Sequence, residues 1–259
     1  MARMTGDPRG GPGWLALGAG LVLVIVGGTA LLLSFGALAS VTAAMLVAGA
    51  LIVAGILVLA WAIVPARRKP TTVAVERGDA AWLNLTLAFG GGMLTVGPAS
   101  PGGPLVSAWS DHADVRLGVE RSAGEAHVRL SRDVTGWDPF GAGTWRVEVA
   151  PDLPLALEVQ GGAGRFELDL TASRVAGAAL YVGAAEVRCR LPVPTGDVRV
   201  RVEAGAASIR LEVPQGVAYR ARTEGFVTRS GGLEGGGYEA ARDRLTIEMT
   251  GGAASLTIA

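Results

Sequence analysis

The segment Gly161-Gly-Ala-Gly-Arg-Phe-Glu-Leu-Asp-Leu170 contains the pattern that decides the fold of this chain. Four small residues come first, and strict alternation follows, with Phe166, Leu168 and Leu170 on one face and charged residues between them. Alternation with a period of two is typical of a β-strand that buries one face. The segment therefore predicts a glycine corner followed by a half-buried strand.

The same pattern recurs through the C-terminal half of the chain. The further alternating apolar sets are Val187, Cys189 and Leu191; Val198, Val200 and Val202; Ile209, Leu211 and Val213; and Leu245, Ile247 and Met249. Gly162, Gly183 and Gly205 are spaced 21 and 22 residues apart, and Gly252 follows 47 residues later, close to two further steps with Gly225 near the middle. A period in the low twenties, with two short strands per repeat, predicts a β-solenoid or a rack of stacked sheets.

Glycine supplies the predicted corners. Five glycines are interpreted as structural turn residues: Gly162, Gly164, Gly183, Gly205 and Gly252. A corner selects glycine because a positive φ or the close stacking of neighbouring turns excludes a Cβ. In the positive-φ version, valine at Gly162 or Gly205 would destabilise the domain by more than about 1 kcal/mol, and the same change at Gly102, in a predicted loop, would matter less.

The N-terminal quarter has a different composition. Trp14 to Leu33 is an uncharged run of 20 residues, and Val41 to Val64 is an uncharged run of 24. As helices they would be about 30 and 36 Å long, enough to cross a bilayer core. The short connection between them, Ser34 to Ser40, requires an antiparallel hairpin. A cleaved signal peptide is the less favoured alternative, because a second apolar run follows at once and a convincing cleavage site is missing.

The flanking charges predict the orientation of the hairpin. Arg67, Arg68 and Lys69 follow the second run, Arg3 and Arg9 precede the first, and the connecting turn is uncharged. By the positive-inside rule both termini, and with them the β domain, face the cytoplasm of a multi-pass inner-membrane protein. The predicted organisation is a cytoplasmic tail (1–13), two transmembrane helices in 14–64 (14–33 and 41–64), a basic linker (65–70), and an all-β repeat domain (71–259) that is most regular over 155–259.

Charge and chemistry exclude several classes of function. Residues 70–259 hold 18 basic and 22 acidic residues, which argues against nucleic-acid binding, since that function usually shows a basic field. His112 and His127 are the only histidines, and the sequence has no HExxH, CxxC or phosphate-loop motif. Cys189 falls on the inward face of its strand, which favours an inert thiol. No catalytic, cofactor-binding or metal-binding residues are predicted, and the alternating Arg and Glu are interpreted as a solvated face with cross-strand ion pairs.

These glycine-led segments carry a family resemblance. Residues 161–170, 182–192 and 203–214 resemble bacterial toast-rack domains, and the hairpin is similar to the membrane region of Lia-type cell-envelope stress regulators. The resemblance implies a non-enzymatic accessory regulator of envelope stress signalling, with a membrane histidine kinase or another membrane protein as its partner beside the lipid bilayer. It implies no catalytic residues and no cofactor.

A second class of function stays open at this point. Open-ended β repeats can stack end to end, so the alternative is a self-assembling scaffold, a homo-oligomer or an adhesin-like protein. Ala259 directly follows the alternating strand that ends at Ile258, and an open sheet edge there would need a cover. The cover is expected to be an earlier segment of this chain, a second copy, or a partner, and Thr71–Val75 is one candidate within the chain.

Overall fold

A computed structural model describes residues 70–111, 115–132 and 142–259. All of these belong to one unit of the chain, Arg68–Ala259. The predicted transmembrane hairpin, the N-terminal tail and the basic linker up to Lys69 lie outside the described residues. Among the described residues, none lies in a helix with the length and apolar character needed to cross a membrane.

The described residues form one sheet of twelve strands. Their bounds are β1 (Thr71–Val75), β2 (Trp82–Pro98), β3 (Val106–Ser110), β4 (Val115–Ser122), β5 (Glu125–Arg132), β6 (Ala142–Val149), β7 (Pro154–Asp169), β8 (Arg174–Arg190), β9 (Asp197–Glu212), β10 (Ala218–Ser230), β11 (Glu234–Gly235) and β12 (Arg244–Ile258). The order across the sheet is β1-β3-β6-β2-β7-β8-β9-β12-β10-β11, while β4 pairs with β5 and β5 also pairs with β2. The predicted all-β repeat domain is therefore confirmed.

The central strands are long parallel rungs stacked at the predicted spacing. Ala178 in β8 pairs with Leu157 in β7 on one side and with Val200 in β9 on the other, which gives offsets of 21 and 22 residues. β2, β12 and β10 continue the parallel stack at its two ends. Each copy of the sequence repeat thus forms one rung of the stack.

Each rung changes its side-chain phase at the glycine segment in its middle. In β7 the buried positions are Leu155, Leu157 and Val159 before the glycines and Phe166 and Leu168 after them. The number of residues between Val159 and Phe166 shifts the alternation by one position, and the ladder with β8 skips Gly162 and Gly183 at the same point. Both halves of the rung therefore direct their apolar side chains into the same core.

The core is a continuous apolar column along the stack. Its aromatic centre is Phe89, whose ring meets Trp145 at 5.3 Å and Phe166 at 6.0 Å between centroids, both edge-to-face. Edge-to-face packing matches the charge distribution of the rings. Among the described residues, only Ser110 and Ser173 are buried polar side chains.

The order of rungs at the C-terminal end differs from the sequence-based prediction. β12 is not an edge strand: it lies between β9 and β10, and it is parallel to both. Gly225 of β10 is accordingly the register partner of Gly251 in β12. The spacing predicts Gly225 on a rung between those of Gly205 and Gly252. The edge at Leu256–Ile258 is covered by an earlier segment of the same chain, as one of the expected alternatives has it, but the segment is β10 and not Thr71–Val75.

The N-terminal end of the stack is closed by two short strands that are parallel to β2, followed by strands that join by antiparallel pairing. The outer side of β2 pairs with β5 along its first half and with β6 along its second half. β4 then covers β5, β3 covers β6, and β1 covers β3. Thr71–Val75 therefore covers this end of the sheet, and its predicted role as a cover for the C-terminal strand was wrong.

Candidate interaction surfaces

A column of glycines runs along the bends of the rungs. The glycine column consists of Gly90, Gly162, Gly183, Gly205 and Gly252. A Cβ on Gly183 would stand 2.8 Å from the carbonyl oxygen of Gly162, one on Gly205 3.0 Å from that of Gly183, and one on Gly252 3.1 Å from that of Gly205. A Cβ on Gly162 would stand closer still to the Gly90 carbonyl. Close approach between rungs thus excludes a Cβ at Gly162 and Gly183 and leaves little room for one at Gly205 and Gly252.

The positive-φ explanation for these corners was wrong. None of Gly162, Gly183, Gly205 and Gly252 has a φ in the left-handed region, whereas Gly102, predicted as an undemanding loop residue, has φ of +75°. Gly164 is restricted mainly by space, because a Cβ there would overlap the backbone of Gly92 on the neighbouring rung. Steric exclusion by stacked backbone, the other half of the prediction, fits the four column positions.

The outer face of the second strand halves carries ion pairs between rungs. Arg165 on β7 donates to Glu186 on β8 at 2.8 Å. Arg190 on β8 bridges Glu212 on β9 at 3.2 Å and Asp169 on β7 at 3.3 Å. The hydroxyl of Thr171 lowers the pKa of Asp169, and Arg190 adds to that effect against partial burial. Each exposed pair contributes modestly, but together they align neighbouring rungs.

The loop after β11 is held against the outer face at the C-terminal end. The buried ring of Tyr238 contacts two guanidinium groups, with its centroid 4.3 Å from Arg220 Cζ and 5.0 Å from Arg244 Cζ. Its hydroxyl is 2.6 Å from Thr246 Oγ1. Arg244 also donates to Asp197 on β9 at 2.8 Å, and this bond lowers the pKa of Asp197. Cation–π contacts and the hydroxyl contact thus attach this loop to β10 and β12, and the Arg244–Asp197 pair links β12 to β9.

β10 presents an incompletely covered edge. β11 pairs only with Tyr219 and Arg220, and the amide of Ala221 donates to the carbonyl of Leu233 at 2.7 Å. In the described part of the chain, no strand pairs with the outer side of Glu224–Ser230. Phe226 in this stretch is 86% exposed, more than any other large apolar residue that the structure describes.

The residues that could have supported catalysis are dispersed. His127 lies exposed on β5 with Nε2 3.4 Å from Glu125, and His112 lies outside the described residues. The described ranges contain no group of three or more His, Cys, Asp and Glu side chains arranged to hold a metal. Cys189 is fully buried; desolvation, with smaller contributions from Asp169 and Glu212, raises its pKa to about 12. A thiol in that state is a poor nucleophile.

Arg67, Arg68 and Lys69 lie outside the described residues. The structural glycines Gly162, Gly164, Gly183, Gly205 and Gly252, in contrast, all lie within the mid-rung bends of β7, β8, β9 and β12. Sequence reasoning missed the edge of β10 and the Tyr238 contact. The mixed polarity of β10 on both faces was the available signal that it is a terminal rung.

Stacked parallel rungs bent at a glycine column define an all-β repeat protein of the solenoid class. Residues 64–212 match the N-terminal domain of toast_rack, DUF2154, so this chain belongs to the toast-rack family. No curated protein matches the sequence.

Solved structures provide a separate comparison. One similar structure is a proposed cell adhesion protein from Clostridium sporogenes ATCC 15579, with a TM-score of 0.66, 16% identity, and coverage of 73% of this chain and 98% of that one. Another match is a proposed adhesin from Bacteroides fragilis NCTC 9343, with a TM-score of 0.24, 10% identity, and coverage of 74% and 97%. The Clostridium structure shares the fold with this chain.

Proposed function

We propose that this toast-rack protein is a non-enzymatic interaction module, anchored in the inner membrane by a hairpin over 14–64. In this proposal the β domain faces the cytoplasm and regulates envelope-stress signalling through a membrane histidine kinase or another membrane protein. The observation that supports it is the distribution of polar groups. Among the described residues nearly every polar side chain lies on an outer face or at an end of the stack, and the interior is apolar apart from Ser110 and Ser173.

Rigidity makes such a surface suitable for a macromolecular partner. Rungs held by parallel ladders and by inter-rung pairs such as Arg165–Glu186 present outer side chains at fixed spacing. A preorganised surface loses little conformational entropy on binding, which favours recognition of another folded protein. The outer faces and the β10 edge are accordingly the parts of the domain that we propose for partner contact.

An adhesin is the second candidate, favoured by one observation. The Clostridium sporogenes protein that shares the fold is named as a proposed cell adhesion protein, at 16% identity. An adhesin acts outside the cell, whereas the proposed regulator acts in the cytoplasm. The side of the membrane that the β domain faces therefore separates the two candidates.

A cysteine at the exposed position Ser230 tests the side directly. Cells producing the Ser230→Cys full-length protein are treated with a membrane-impermeant maleimide before and after lysis. The unaltered protein is the matched control, because its Cys189 is buried and should stay unlabelled. We expect labelling of the variant only after lysis. Equal labelling in intact cells would contradict the cytoplasmic regulator and favour the adhesin.

The signalling role needs a second measurement. The full-length protein is cross-linked in its own membrane and purified, and a chain without residues 14–64 serves as the control for anchoring. Recovery of a histidine kinase with the full-length protein is the expected result. If labelling indicates the cytoplasm but the cross-linked material contains no kinase, the interaction module would have to serve another membrane protein.

A further inference from the structure

The exposed half of β10 is held in a defined position. The edge segment is Phe226–Ser230, and it lies between Gly225 (φ +85°) and Gly231 (φ +97°). A Cβ on Gly225 would overlap the carbonyl of Gly251, and one on Gly231 would overlap the carbonyl of Ile258. At both positions only glycine combines a left-handed φ with close contact to the backbone of β12. The two glycines therefore define where the edge segment begins and ends.

The edge segment is already a strand with one satisfied side. Val227, Thr228, Arg229 and Ser230 pair in parallel with 254–257 of β12. Ser230 Oγ also lies 2.9 Å from Thr257 Oγ1. Its opposite side has no partner strand among the described residues, although the other end of the stack is closed by β1, β3 and β4. An exposed strand edge is a template for an added strand.

One side chain in this segment breaks the apolar pattern of the core. The register places one residue from each of six rungs in a line: Leu94, Phe166, Val187, Ile209, Leu256 and Arg229. The first five are buried, and Arg229, on the terminal rung, is exposed. A further rung laid on β10 would place its next side chain beside a guanidinium group. Burying that charge is favourable only when an acidic group pairs with it.

We propose that the edge segment binds an extended strand of a protein partner, with an acidic side chain beside Arg229 and a small or apolar side chain beside Val227. This inference rests on the proposed function of the domain as an interaction module and names the surface and the chemistry of its partner. Val227 packs against the core, so the position beside it continues the apolar interior. Backbone pairing supplies the affinity, and the charge beside Arg229 supplies the selectivity.

A second copy of the chain matches this edge poorly. The residues of the edge segment in the inward register are Val227 and Arg229, and neither is acidic. Two copies joined edge to edge would therefore bring no carboxylate to either guanidinium. Inward charges on edge strands can also serve only to prevent pairing. Peptide titrations distinguish an edge that binds a partner strand from an edge that the charge keeps unpaired.

Peptides copied from the preceding rung serve as probes. The first is Ala-Ala-Ser-Glu-Thr-Ile-Ala, which is the sequence of residues 253–259 with Leu256→Glu, and the matched control carries Lys in place of Glu. Each peptide, labelled with fluorescein, is titrated against the purified full-length protein in detergent, and hydrogen exchange of Phe226–Ser230 is measured alongside. For wild type we expect the Glu peptide to bind about tenfold more tightly than the Lys peptide and to slow exchange in the edge segment.

The charge-reversed protein makes the test specific. In Arg229→Glu the order of the two peptides should reverse, and far-UV circular dichroism checks that the variant is folded. The proposal would be overturned if neither peptide slowed exchange at the edge segment, or if Arg229→Glu left the order of the two peptide affinities unchanged. Arg229 would then be a charge that only prevents strand pairing. Slowed exchange that depends on protein concentration without peptide would overturn the choice of partner, because a second copy would occupy the edge. These measurements do not depend on membrane sidedness, so they can fail independently of the proposed regulatory role.

Discussion

Alanine substitutions along the glycine column should destabilise the domain in a graded order set by the spacing between rungs. The added Cβ would meet the neighbouring carbonyl oxygen at 3.1 Å for Gly252, 3.0 Å for Gly205 and 2.8 Å for Gly183, and at a still shorter distance for Gly162. Overpacking of this kind costs about 1–3 kcal/mol, while loss of glycine's freedom in the unfolded chain returns about 0.4–1 kcal/mol.

The two contributions predict a net effect for each site. Gly162→Ala should lower the free energy of unfolding by about 1–2 kcal/mol, Gly183→Ala by about 1 kcal/mol, and Gly205→Ala and Gly252→Ala should be close to neutral. Gly97→Ala is the matched control, because no atom lies within 4 Å of its added Cβ and its φ is not left-handed. That variant should be unchanged or more stable by up to about 1 kcal/mol.

Urea unfolding of the full-length protein in detergent, followed by circular dichroism of the β signal, measures the series. A shift of the midpoint at constant slope reports a change in stability. The reasoning would be refuted if Gly97→Ala were as destabilising as Gly162→Ala, or if the four column variants showed no order. Equal losses at all four would indicate that backbone conformation, and not the distance between rungs, selects glycine there.

Two further predictions follow from the titratable groups. Cys189 should resist a thiol reagent in the folded protein at mildly alkaline pH and react only on unfolding, because burial raises its pKa to about 12. Rapid labelling of the folded protein would contradict the buried position. Asp197→Asn should lower the free energy of unfolding near neutral pH and change it little in acid. The reason is that Arg244 lowers the folded-state pKa of Asp197, so the stabilisation is present above the unfolded-state pKa and is lost as pH falls through the folded-state pKa. A stability difference between wild type and variant that grows in acid would argue against the Arg244–Asp197 pair.

The repeat itself could be predicted from the sequence because its signal is local. Alternation in segments such as Arg165–Leu170, with glycines 21 and 22 residues apart, determines both the strand faces and the rung spacing. The reason for glycine at the bends was not local. A short contact with a carbonyl on another rung, as at Gly183, and a left-handed φ, as at Gly102, both exclude a side chain, and the sequence does not distinguish them.

The order of rungs at the C-terminal end could not be deduced from spacing. The 47 residues from Gly205 to Gly252 accommodate two steps whichever rung lies outermost, and alternation does not specify a pairing partner. The composition did contain a usable signal. β12 has a fully apolar inward face with Leu245, Ile247 and Met249 buried, whereas β10 buries only Ala218 and Ala221. A rung with little apolar surface gains little from neighbours on both sides, so it belongs at the end.

The insertion of β12 explains how the domain can keep a stable core and still present an edge. If β10 followed β9 directly, β12 would be outermost, and its apolar inward residues would lie at the solvent boundary. With β12 inside, those residues are covered by β9 and β10, and the outermost rung is the polar one. The exposed strand Phe226–Ser230 then carries a charged side chain, Arg229, in its inward register, which lowers the tendency toward unspecific aggregation. The same arrangement restricts the edge to partners that bring the complementary charge.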